Sequence, residues 1–237
     1  MKLLGVKINN LTLVDALQKV EDLLLDSQQR YVVTPNPEFL VKAQKDEKFR
    51  DILNSADMSV PDGIGLIYAS RFLGSPLKQR ITGVDLMEKI CQVAAQKGWQ
   101  VFLYGAEPEP DVALETAAVL KNKYKQLNIE VLKSQGHTFS IAAKQILPTI
   151  LFVALGSPKQ EKWIAHYLKK MPQVDLAIGI GGSFDFISGR IKRAPVFVQN
   201  IGLEWFWRLF NQPWRISRIF NAVLVFPLMV LKERVWK

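Results

Sequence analysis

The 237-residue sequence predicts an α/β protein. The expected architecture is a Rossmann-like, mostly parallel sheet with helices on both faces over residues 1–195, followed by a helical appendage over 196–237. Three observations carry this expectation. Val/Ile-rich runs of strand length alternate with longer segments of helical period, the pattern of strands covered on both sides. Most of those runs end in polar or glycine-rich turns. Finally, residues 190–237 hold nine Lys/Arg against two Glu, a net of +7 out of the chain's +9, together with four of its six tryptophans.

Strands are expected at 31–34, 58–60, 100–104, 129–132, 149–155 and 175–180. Between them, Leu13, Leu17, Val20 and Leu24 recur on one face of a first helix, and Val112, Leu114, Ala118 and Leu120 populate a later one. The turns after the strands contain Thr34-Pro-Asn-Pro37, Pro61-Asp-Gly63, Tyr104-Gly105, Gly156-Ser-Pro-Lys-Gln-Glu161 and Gly179-Ile-Gly-Gly-Ser-Phe-Asp185. Ligands of open α/β sheets bind outside the carboxyl ends of the strands. Five such turns on one edge therefore suggest a composite site.

An apolar fraction of 49% excludes a disordered chain. Cys91 is alone and falls among Leu86, Ile90 and Val93, so it reads as a buried structural thiol in a reducing compartment. The N-terminal apolar patch is broken by Lys7, Asn9 and Asn10, unlike a signal peptide. The C-terminal segment interleaves basic residues with Trp205, Trp207, Trp214, Trp236 and a run of Val, Leu and Phe, a composition suited to anionic headgroups and acyl chains together. Its longest uncharged run, 219–231, has thirteen residues, below the roughly 20 a spanning helix needs, so the segment is expected to lie on a membrane. It is too apolar for a nucleic-acid groove, and no nucleic-acid partner is expected.

Asp62, between Pro61 and Gly63, either caps the following helix or offers a carboxylate to the site as a general base. In the 156–161 turn, Ser157 suits an N-cap and Pro158 a first helical position. A helix start there could also receive a phosphate, and Lys159, Gln160 and Glu161 bring more polar function than a cap requires. The Gly179-Ile-Gly-Gly-Ser-Phe-Asp185 turn has Phe184 where a dinucleotide fingerprint needs glycine, which argues against a nicotinamide enzyme; close approach to a nucleotide remains, with Asp185 as an acceptor. No two aspartates stand two positions apart, and neither His137 nor His166 has a companion at ligand spacing, so neither metal nor cofactor is expected.

Taken in order, Thr34-Pro-Asn-Pro-Glu-Phe39, Pro61-Asp-Gly63, Arg80-Ile-Thr-Gly-Val-Asp-Leu86, Gly156-Ser-Pro-Lys-Gln-Glu161, Gly181-Gly-Ser-Phe-Asp185, Arg193-Ala-Pro195 and Gly202-Leu-Glu-Trp-Phe-Trp-Arg-Leu209 resemble the WecG/TagA/CpsF glycosyltransferase family, most nearly its teichoic-acid branch. The resemblance implies metal-independent, inverting transfer of N-acetylmannosamine from UDP-N-acetylmannosamine to undecaprenyl-diphosphate-linked N-acetylglucosamine, at the cytoplasmic face of the plasma membrane. By this resemblance Asp62 is the base, Thr34, Asn36 and Arg80 share its pocket, and Gln160 faces the sugar. Gly181, Gly182 and Asp185 form the nucleotide turn, and Arg208, Arg215 and Arg218 are appendage arginines that complete the site. Gly105, Gly156, Lys159 and Glu161 are further substrate-binding candidates. A different donor such as N-acetylmannosaminuronic acid, or a non-catalytic nucleotide-binding module on a membrane, are the alternatives; a homo-oligomer is left open.

Overall fold

The computed structural model describes residues 1–26, 28–105, 111–132, 134–135, 138–139 and 147–235. His137, Trp236 and Lys237 lie outside the described residues. Ten strands are described: β1 Lys2–Leu3, β2 Val6–Lys7, β3 Arg30–Val33, β4 Met58–Ser59, β5 Gln100–Gly105, β6 Asn128–Val131, β7 Ser134–Gln135, β8 Thr138–Phe139, β9 Thr149–Ala154 and β10 Leu176–Gly179. Six form one sheet in the order β4-β3-β10-β9-β5-β6, and every pairing in it is parallel. All six sheet strands coincide with the expected ones. The two antiparallel hairpins, β1–β2 and β7–β8, were not expected; their two-residue strands are too short to carry a periodic signal.

The central strands β9 and β10 are buried along their whole length, consistent with their unbroken apolar sequences Thr-Ile-Leu-Phe-Val-Ala and Leu-Ala-Ile-Gly. Helix Leu13–Leu25 starts in a capping box, with Thr12 accepting from Asp15 N–H and the Asp15 carboxylate accepting from Thr12 N–H. It buries Ala16, Val20, Leu23 and Leu24 against the core, with Leu13 and Leu17 at the margin. Helix Asp111–Lys123 corrects the expected face: Val112, Ala113, Thr116 and Leu120 point inward, whereas Leu114 and Ala118 are exposed. Cys91 is buried, and burial pushes its thiol pKa up, so it is inert packing.

The C-terminal segment forms helices Val196–Asn200 and Glu204–Asn211 and then a helical run, Pro213–Val235. Pro213 opens that run at its first turn, where a missing N–H costs nothing. The run has 23 residues, and its most apolar 18-residue stretch has a mean hydropathy of 1.5, so it is long and apolar enough to cross a membrane by length and composition. The count of thirteen uncharged residues underestimated it, because the helix continues through Arg215 and Arg218 at one end and Lys232 and Arg234 at the other. It is nevertheless docked on the body. Phe226 and Val230 are buried with Leu3, Leu40 and Leu66, each such side chain stabilising the docking by about 1.5–3 kcal/mol. Glu233 Oε2 accepts from Leu4 N–H at 3.1 Å.

Candidate active site

Sheet order decides which turns meet. With β10 between β3 and β9, the turns after these three strands are adjacent. The Thr34 hydroxyl donates to Gly179 O at 2.8 Å, and Gly181 N–H donates to Gln160 Oε1 at 3.0 Å. The turn after β4 joins them through Asp62 N–H, which donates to Pro35 O at 2.8 Å. Above this edge opens a cleft of about 780 Å³, roofed by the C-terminal helices.

Asp62 lines the cleft and does not cap the helix that follows it. Helix Ile64–Phe72 starts at Gly63 without a side-chain cap, and Asp62 Oδ2 accepts instead from Gly83 N–H at 3.3 Å. Burial raises the carboxyl pKa to about 6. The Gly83 bond opposes that shift, Glu204 adds to it, and Arg80 and Arg208 oppose it. Asp62 is thus a carboxylate near neutral pH that still holds a proton well, which suits a general base. Asn36 spends its side-chain oxygen as N-cap of helix Pro37–Ala43, accepting from Phe39 N–H at 3.2 Å. Thr34, its proton given to Gly179, can present only lone pairs to a ligand.

Arg208 and Arg215 converge on Gly182, although a proline separates them in the chain, and Arg218 lines the same cleft. A methyl group on Gly182 would lie 2.9 Å from Arg208 Nη2, so that guanidinium would have to shift, and at ordinary contact distance, 3.7 Å, from Arg215 Nη2. Arg208 Nε and Nη2 and Arg215 Nε are buried without hydrogen-bond partners. Burial lowers both pKa values, that of Arg215 to about 10, with Arg208 and Arg218 adding to the effect there. Buried, partnerless guanidinium donors are costly unless an anion meets them. Arg218 is instead paired: its Nε donates to both carboxylate oxygens of Glu38 at 3.0 and 2.8 Å, and Lys42 Nζ reaches Glu38 at 2.7 Å.

Glu38 and Glu204 are the residues that the motif reading passed over. Glu38 is a buried acid from helix Pro37–Ala43 that ties the appendage to the body. Glu204 reaches Arg80 Nη2 at 3.5 Å and Arg193 Nε at 3.3 Å. Each lies inside one of these motifs, but the distant partners, Arg218 for Glu38 and Arg80 for Glu204, are ones that local spacing does not indicate.

Three candidates do not line the cleft. Lys159 is exposed, and Gly105 serves packing: its φ is 111°, and a methyl group there would come within 2.7 Å of the Ala154 backbone. Glu161 is fully buried behind Gln160, whose Nε2 donates to its Oε1 at 2.6 Å. Gln160 therefore fixes the Gly181 turn with one end and Glu161 with the other. Gly156 and Asp185 do line the cleft. Helix Lys159–Tyr167 begins after Pro158 with no side-chain cap, so Ser157 stands one residue too early for the expected capping.

Burial raises the Glu161 pKa from 4.5 to about 7, despite the Gln160 hydrogen bond. A carboxyl raised on folding contributes stability that is full below its unfolded pKa and lost as pH climbs through the folded value. Glu161→Gln should therefore flatten the decline in stability between pH 4.5 and 7. Denaturant unfolding at pH 5 and pH 8 checks this, with a difference of a few kcal/mol expected at about 1.4 kcal/mol per pKa unit.

An α/β sheet whose carboxyl edge joins a carboxylate of raised pKa to arginines with unpaired buried donors has the features of a group-transfer site for a phosphorylated donor. The chain belongs to the glycosyl transferase WecG/TagA/CpsF family, whose model matches residues 1–237. It is 37% identical over 230 residues, 94% of this chain and 88% of the relative, to N-acetylglucosaminyldiphosphoundecaprenol N-acetyl-beta-D-mannosaminyltransferase of Bacillus subtilis (strain 168). The protein of that name from Staphylococcus aureus (strain MW2) is 28% identical over 238 residues, covering 98% of this chain and 92% of the relative.

Proposed function

We propose that this enzyme transfers N-acetylmannosamine from UDP-N-acetylmannosamine to undecaprenyl-diphosphate-N-acetylglucosamine, forming the linkage unit of wall teichoic acid. The observation that carries the reading is Asp62 in one cleft with the unpaired Arg208 and Arg215 donors. The acceptor's O4 attacks C1 of the donor sugar, its proton passes to the Asp62 carboxylate, and the C1–O bond to UDP breaks with its electron pair on the diphosphate. That single displacement inverts C1 and gives the β-linked product that the relatives' name specifies, starting from an α-linked donor. Arg208 and Arg215 meet the charge growing on the leaving diphosphate.

Residues 1–195 serve as the catalytic body and 196–237 as an appendage that seats on the membrane. Phe197, Phe206, Phe210, Trp214, Phe220 and Leu228 are exposed apolar side chains of that appendage, a larger display than a solvated surface needs. Because Phe226 and Val230 pack on the body and Arg215 lines the cleft, the last helix lies on the bilayer surface rather than crossing it. The proposed location is the cytoplasmic face.

UDP release measured across a panel of donor sugars, with a lipid-diphosphate-N-acetylglucosamine acceptor, tests the reading. Turnover should be highest with UDP-N-acetylmannosamine; preference for an acidic sugar, or no turnover, would overturn it. Turnover should also persist in EDTA, because the arginines carry the role a divalent ion often has. Loss of turnover that added Mg²⁺ or Mn²⁺ restores would show that a metal holds the diphosphate.

A further inference from the structure

Helix Glu204–Asn211 sends two charged side chains toward Asp62 from positions one turn apart, Glu204 and Arg208. Glu204 is 15% exposed and bridges two arginines of the body's chain segments, Arg80 and Arg193. Arg193 is held in turn by Asp85, at 2.6 and 3.0 Å, and by the Thr82 hydroxyl at 3.3 Å. Around Asp62 the described groups that bear on its charge are therefore Gly83 N–H from helix Gly83–Lys97, Arg80 from the loop before it, and Glu204 and Arg208 from the appendage.

Without Glu204, two cations and a peptide N–H would face the carboxylate with no opposing charge. Such surroundings stabilise the ionised form and make a weaker base. Glu204 supplies the opposing charge and fixes the Arg80 guanidinium at the same time. We propose that Glu204 is a positioning residue for glycosyl transfer, which restrains Arg80 and offsets its charge beside Asp62 and so strengthens the base. The proposal rests on Asp62 being the base. It adds that the appendage tunes the body's proton acceptor as well as supplying arginines. The raised pKa of Asp62, to which Glu204 contributes, agrees with it.

The test is the pH dependence of kcat/KM for UDP release with a soluble short-chain acceptor, whose acidic limb reports the free enzyme's base. Glu204→Gln should move that limb down by about one pH unit and lower the plateau about tenfold, since a weaker base accepts the proton less readily. Glu204→Asp, which keeps the charge, should leave the limb near its original place. Arg193→Gln should loosen the appendage, read as faster proteolysis after residue 195, without moving the limb. If Glu204→Gln shows an unmoved limb and behaves like Arg193→Gln, Glu204 is only a latch and the proposal fails. Should Glu204→Gln not fold by circular dichroism, Arg80→Gln decides with the opposite sign: loss of the cation should move the limb up, and an unmoved limb overturns the proposal. An active Asp62→Asn enzyme would instead remove the underlying assignment of the base.

Discussion

Asp62→Asn should lower turnover by about 10²–10⁴-fold, the usual contribution of a positioned general base. The amide keeps the carboxyl's shape and can still accept from Gly83 N–H, so the fold and UDP affinity should survive. Stability should move the other way. In the folded protein Asp62 titrates near 6 rather than 3.8, because burial outweighs the Gly83 bond and the nearby arginines. Its contribution to stability is full below pH 3.8 and is lost as pH rises through about 6. At pH 8 the wild type carries a partly buried ionised carboxylate, and the Asn variant does not. The variant should therefore melt a few degrees higher at pH 8 and lose that advantage near pH 4. A dead but more stable enzyme would separate a catalytic role from a structural one. A correctly folded Asn variant with near-wild-type UDP release would refute the assignment.

Arg208→Gln and Arg215→Gln should each reduce kcat/KM by roughly 10²–10³-fold on a soluble acceptor as well as on a membrane-bound one, as expected for loss of one charge donor to a leaving group. The buried donors of Arg208 and Arg215 lack partners, and each guanidinium is destabilised by its surroundings. UDP should relieve that strain by pairing with them. Its binding should raise the melting temperature of the wild type, and each variant should lose most of that rise. Arg218 differs, because Glu38 already holds it at 2.8 Å. Variants that keep full activity on the soluble acceptor and lose only liposome binding would show that the arginines are anchors and not part of the site.

Much of this molecule was legible in its sequence, for local reasons. Parallel strands buried on both faces must be apolar there, so the central strands stood out as unbroken apolar runs, and most of the turns beyond the strands as Gly, Pro and Asp. Asp62 was visible as a carboxylate in such a turn, and the motif resemblance pointed to the appendage arginines. A local pattern could not say whether Asp62 caps a helix or faces a cleft, nor that Gly105, Lys159 and Glu161 turn away from it.

The rest was decided when strands 31–34 and 175–180 became neighbours. The sheet order brought the turns holding Thr34, Gln160 and Gly181 within hydrogen-bond reach, and no residue pattern states which parallel strands pair. Docking of Phe226 and Val230 then carried Arg215 over Gly182 and closed the contacts of Glu38 with Arg218 and of Glu204 with Arg80. Those pairs join residues 180 and 124 positions apart in the chain. Ion pairs of that separation leave no periodic trace in a sequence. They exist because packing of apolar faces brings the charges together and removes the water between them.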